Sequence, residues 1–179
     1  MLTSQLEIIE QGRSYLASIS IKDYTAIISP NFISSAGAHM RHIIDHYQAL
    51  ISGFESGLID YDVRERGGEF ELSPQRAIEK LNEIADWVEQ LTPNQLNTMV
   101  TLATEVSVTE QNIQQVQTSV ARELVFAGSH AVHHYAMIAQ ICFAQKNLQS
   151  QLFGLAPATA TFIREKSKQS ADNNKVACR

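Results

Sequence analysis

Ser129–Ala139 reads SHAVHHYAMIA and holds half of the chain's six histidines. The segment around it is proline-free and apolar at helical spacing, which predicts one long helix with Thr118 or Ser119 as N-cap, running to about residue 145. At about 100° per residue, His134 lies only about 40° around that helix from His130, so the two share a face. Phe126, Ala127, Met137, Ile138 and Ile141 fall on the same side, and the pair is expected on the stripe that faces the core. His133 is displaced roughly 60° the other way, beside Arg122, Ser129 and Gln140, which puts it at the border or on the surface. Glu123, two turns before His130, points inward, either as a buried acid near a site or as a charge favoured by the helix N-terminus.

The remaining histidines sit far upstream, at His39, His42 and His46. Residues 34–54 place Met40, Ile43, Tyr47, Leu50, Ile51 and Phe54 on one stripe, predicting a second helix. The three histidines follow an i, i+3, i+7 pattern on or beside that stripe, and spacing alone does not rank them. Buried imidazoles each need a polar partner, and five inward ones on two helices call for a shared reason. Metal chemistry supplies one: three neutral imidazoles hold Zn²⁺ or a similar ion at about 2.0 to 2.1 Å and leave a position open for water or substrate. His130 and His134 would give two ligands from one helix, and a neighbouring helix the third. Asp45 is placed to orient a ligand's second nitrogen or a water, with a plain surface carboxylate as the alternative reading.

Working outward, Leu6, Ile9 and Leu16 suggest a first helix over residues 3–18, followed by a less regular stretch. DYDVRERGGEFE is a polar connection that could bring Arg64 or Arg66 to the mouth of a site to bind an anionic substrate. Ser73-Pro74 then reads as N-cap and first position of a third helix, buried through Ala77, Leu81, Ile84, Ala85, Val88 and Leu91. From Asn97 to Thr109 the apolar residues alternate and are rich in β-branched types, which predicts a short β-hairpin within about residues 97–115. A short helical turn is expected at 159–165. The fold class is therefore mainly all-α, an up-and-down four-helix bundle over residues 1–166, with 167–179 a polar, flexible tail.

Composition narrows the function classes. A net charge of -5 opposes a nucleic-acid footprint, and no apolar run is long enough to span a bilayer. MLTSQLEIIEQGRSYL lacks the pattern of a secretory leader, so a cytoplasmic protein without membrane or nucleic-acid partners is expected. Cys142 and Cys178 read as free thiols. No glutamate is followed three residues later by histidine, which disfavours a di-iron carboxylate bundle. HExxH, GxSxG, Walker A and GxGxxG signatures are likewise missing.

The segments AHMRHIID (Ala38–Asp45) and SHAVHHYAMIA together resemble the DinB/YfiT-like metalloenzyme family. The resemblance implies a four-helix bundle whose metal is held by His42 from the second helix and by His130 and His134 from the last long one. Asp45 matches the acid that often follows the second-helix ligand. The resemblance also implies a divalent ion (Zn, Ni or Fe), a low-molecular-weight thiol as co-substrate in some members, a small-molecule substrate and a homodimer. This chain has Tyr135-Ala136 after His134, where many relatives have Arg-Gly-Gln. The leading reading is a metal-dependent thiol S-transferase or hydrolase in which the ion activates a thiol or water, with His46, Glu123 and His133 as candidate proton carriers. The alternative is a non-catalytic dimeric binding protein with a structural ion or hydrogen-bonded core histidines.

Overall fold

The computed structural model describes residues 1–63, 68–147 and 149–177. In chain order its elements are α1 (Leu2–Ser18), α2 (Ile21–Thr25), α3 (Ala36–Ser56), β1 (Leu58–Asp60), α4 (Glu69–Leu72), α5 (Pro74–Glu89), α6 (Pro93–Leu96), β2 (Met99–Glu105), β3 (Ile113–Ser119), α7 (Val120–Ala144) and α8 (Pro157–Ala177). Helices α1, α3, α5 and α7 form the expected four-helix bundle, and none of the described helices is long and apolar enough to cross a membrane.

Local chemistry sets the helix starts. The hydroxyls of Ser35, Ser73 and Ser119 accept from the backbone N–H of Ala38, Arg76 and Arg122, so each of α3, α5 and α7 begins on a serine cap. Pro74 occupies the first turn of α5, where its missing N–H costs nothing. α3 ends at Gly57, whose φ of 80° gives the left-handed turn that most side chains avoid.

Side-chain pairs along the helices give their directions. Gln5 packs on Gly128 and Gly12 on Tyr135, so α1 and α7 run parallel. His39 meets His134 while His46 meets Phe126, so α3 and α7 run antiparallel. Glu71, just ahead of α5, covers Gly37 at the start of α3, and Phe54 meets Trp87 near the ends of both helices, so α3 and α5 run the same way. The four-helix bundle is as expected, but its helices run up, down, down, up rather than strictly alternating: α1 packs on α5 and α7, and α3 packs on α7 and α5. The two histidine-bearing helices are therefore direct neighbours.

Because α3 and α5 point the same way, the chain between them must travel back along the bundle. Its first step is a strand that the sequence reading treats as polar connection. β1 pairs in parallel with β2 (Ile59 opposite Leu102), and β2 pairs antiparallel with β3, from Met99 opposite Ser119 to Glu105 opposite Ile113. The expected hairpin is present, reaches to residue 119, and belongs to a three-stranded sheet. Ile59 is fully buried, and its backbone lies so close to Gly53 of α3 that a Cβ there would collide with it. Two further differences stand out. The turn expected at 159–165 is a helix that continues to Ala177, and the irregular stretch after α1 contains α2, capped by Ser20.

The core is built from Ile9, Tyr24, Met40, Ile43, Ile44, Tyr47, Leu50, Leu81, Ile84, Leu124 and Tyr135, all under 2% exposed. On α7 the buried stripe runs Leu124, Ala127, Ala131, Tyr135, Ile138 and Cys142. It is rotated from the expected stripe, because Tyr135 takes the innermost place and Met137 is exposed. His130 and His134 consequently sit on the shoulder of the stripe, against α3.

Candidate metal centre

Five of the six imidazoles meet along the α3–α7 seam. On α3, His46 is buried while His39 and His42 are half-buried; on α7, His130 and His134 are half-buried and His133 is exposed. Antiparallel packing interleaves the two sets. The His42 ring centroid lies 4.4 Å from His46, 4.9 Å from His130 and 4.6 Å from His134. His46 and His130 stack at 4.1 Å.

The nitrogens define what this cluster can hold. Among the described residues, His42, His46 and His130 form the set whose donor atoms all lie within 4.8 Å of one another. Two nitrogens on one tetrahedral ion stand about 3.3 Å apart, given metal–nitrogen bonds of about 2.0 to 2.1 Å. Three histidines are thus positioned to hold a metal ion, and an all-imidazole donor set suits a borderline divalent cation such as zinc, copper, iron or nickel.

Hydrogen bonds assign roles to individual nitrogens. His46 Nδ1 lies 3.0 Å from the His42 carbonyl oxygen; a carbonyl only accepts, so Nδ1 carries the proton and Nε2 of the neutral ring keeps its lone pair. His134 makes two imidazole contacts, Nδ1 to His39 Nδ1 at 2.9 Å and Nε2 to His130 Nε2 at 3.1 Å. A neutral His134 has one N–H, so it donates in one of these contacts and accepts in the other. Burial, with the neighbouring imidazoles of His130, His42, His39 and His133, pushes the His134 pKa down to about 2. Burial and the nearby His133 lower that of His39. Both rings are therefore in the uncharged form that ligation requires.

Behind His46 lies a second layer. Tyr61, immediately after β1, stacks on the His46 ring at 4.9 Å and 15°. Its hydroxyl donates to Glu123 Oε2 at 2.8 Å. Glu123 is completely buried, and its Oε1 accepts from Thr118 at 2.7 Å and from Arg122 at 2.9 Å. The Arg122 guanidinium in turn lies over the Phe126 ring, 5.3 Å from its centre. Glu123 thus points inward as expected, and the groups it holds are a tyrosine, a threonine and an arginine.

The other expected residues are placed as follows. The structure brings His42, His130 and His134 into mutual ring contact, and it adds His46 to them. Asp45 is buried and ion-pairs with Arg41 at 3.6 Å, while Arg41 also binds Glu71 at 2.6 Å. The exposed His133 ring stands 6.4 Å from His130. Arg64 and Arg66 lie outside the described residues, as does Cys178; Cys142 is a buried free thiol. Tyr61 was invisible as a site residue, because it lies in a polar stretch and only the unforeseen β1 carries it to His46.

No family model matches the chain. A crystal structure of a DinB-like protein, YjoA of Bacillus subtilis, superposes on 83% of this chain and 93% of that chain with a TM-score of 0.56 and 16% identity. This chain therefore has the fold of a DinB-like protein. FK506-binding protein 5 of Rhizopus delemar is 32% identical over 108 residues, which cover 60% of this chain. The chain spans only 28% of that relative's length.

Proposed function

We propose that this protein is a divalent-metal-dependent enzyme acting on a small-molecule substrate, as a thiol S-transferase or a hydrolase. The observation that carries the reading is the convergence of imidazole nitrogens from two rigid helices at a seam that is only half-buried. His42 and His130 belong to every version of the ligand set. His134 completes it in the arrangement implied by the DinB/YfiT resemblance, and the nitrogen spacing favours His46.

When bound, the ion supplies Lewis acidity that lets a thiolate or hydroxide exist near neutral pH. The chain's own residues do the rest. Neutral imidazoles avoid a proton competing with the ion. Ring contacts among His42, His46 and His130 restrict their rotamers, so less ordering entropy opposes ligation. The half-buried His42, His130 and His134 leave the seam approachable from solvent, and the exposed His133 lies beside it to exchange protons.

Metal analysis of purified protein tests the reading. Wild type is expected to carry about one equivalent of zinc, nickel or iron, and His130→Ala to carry none; equal, substoichiometric metal in both refutes it. With cobalt in the site, added glutathione giving a thiolate-to-cobalt charge-transfer band separates transferase from hydrolase. The rival reading, a non-catalytic protein with hydrogen-bonded histidines, draws on the bonds linking His39, His134 and His130. It requires unchanged folding and no bound metal in wild type.

A further inference from the structure

We infer that His46 is a ligand of the metal centre and that Tyr61, gripped by Glu123, is the positioning residue that aims it. The inference rests on the metal-dependent reading above and adds a ligand outside the set implied by the DinB/YfiT resemblance.

Two restraints act on the His46 ring, one from its own helix and one from the residue after β1. The Nδ1–H bond to the His42 carbonyl fixes which nitrogen is protonated and leaves Nε2 as the coordinating atom. Metal-binding histidines commonly donate their other ring N–H in this way, to a carboxylate or a backbone carbonyl. The near-parallel Tyr61 ring then restricts rotation of the imidazole. Each restraint alone would be ordinary packing.

What sets Tyr61 apart is how its own position is fixed. A tyrosine hydroxyl facing a fully buried carboxylate forms a strong charge-assisted bond, and that carboxylate is itself held by Thr118 at the end of β3 and Arg122 in the first turn of α7. The strand that delivers Tyr61 and the helix that delivers Glu123 are thereby pinned together at His46. A buried acid with this many donors is costly to assemble for packing alone, since apolar residues of similar size would fill the space without desolvating a charge. No comparable anchor among the described residues holds His39 or His134, whose rings bond to other imidazoles.

Cobalt and zinc titrations on the full chain test the inference, read by visible absorption and by competition with a chromophoric chelator. Wild type should bind one cobalt ion with a ligand-field spectrum. His46→Ala should weaken zinc binding by more than about 100-fold, the upper end of what even the loss of an outer partner costs. Both variants keep shape: Tyr61→Phe loses the gripping bond and Glu123→Gln loses the charge that strengthens it, and each should weaken binding by about 10-fold and shift the cobalt bands. The core variant Val88→Ala controls for stability: it should lower the melting temperature and leave the cobalt spectrum unmoved. Wild-type affinity in His46→Ala overturns the inference while the metal-dependent reading stands, as do unmoved cobalt bands in both Tyr61→Phe and Glu123→Gln. A wild type that binds neither cobalt nor zinc overturns both.

Discussion

The two ends of the α3–α7 seam hold their imidazoles by different means. At the sheet end His46 is buried, stacked on Tyr61 and backed by Glu123, Thr118 and Arg122, a set drawn from the residue after β1, from β3 and from α7. At the opposite end His39 and His134 are half-buried and bonded to each other, with His134 also touching His130. The difference teaches that a row of identical side chains at helical spacing does not make equivalent sites. Rigidity comes from what stands behind each ring, and here the sheet supplies it at one end only.

The sharpest way to break this contrast is to remove His130, which touches both ends. His130→Ala should reduce metal affinity by more than about 100-fold, measured by chelator competition, because it takes away the nitrogen common to both halves. Removing the anchor comes next. Glu123→Ala leaves the donors of Tyr61, Thr118 and Arg122 without their acceptor and should cost about 2 to 4 kcal/mol, or roughly 5 to 15 °C in the thermal midpoint. The matched change at the other end, His39→Phe, should cost less than about 1 kcal/mol, since a half-buried site accepts an aromatic ring of similar size. A larger loss in His39→Phe than in Glu123→Ala would erase the asymmetry.

Gly53→Ala probes the sheet end through the backbone. A methyl group there meets Ile59 of β1, and overpacking of this kind costs about 1 to 3 kcal/mol. Hydrogen exchange should rise in β1 before it rises in α7. The smallest effect concerns pH. His39 and His134 are held neutral in the fold, whereas in the unfolded chain they charge below their ordinary value of about 6.5. The unfolded state then binds more protons, so stability of chelator-treated protein is full above about pH 6.5 and declines as pH falls below it. Urea midpoints at pH 7 and pH 5 should draw closer together in a His39→Phe, His134→Phe double variant.

Much of this arrangement was legible in the chain. The i, i+4 spacing of His130 and His134, the i, i+3, i+7 spacing of His39, His42 and His46, and the serine caps of α5 and α7 all follow from helix geometry, and the structure has them. The rotation of the α7 stripe was not legible. Tyr135 counts as amphipathic in any periodicity argument, yet it packs fully inward against Gly12 of α1, a partner that only the tertiary structure names. β1 was hidden for a related reason: three residues are too few for a period to show, and a parallel partner forty residues away leaves no local trace. The missed members of the site, Tyr61 and Thr118, are the residues those non-local pairings deliver.

Ser119 belongs to two elements at once. It closes the β2–β3 ladder opposite Met99, and its hydroxyl caps α7 by accepting from Arg122. No linker separates strand from helix, so there is no slack between them. The strand therefore runs straight into the first turn of α7, where Glu123 sits four residues on. The hairpin is in mechanical terms an extension of α7, and its exposed tip carries Val106 and Val108.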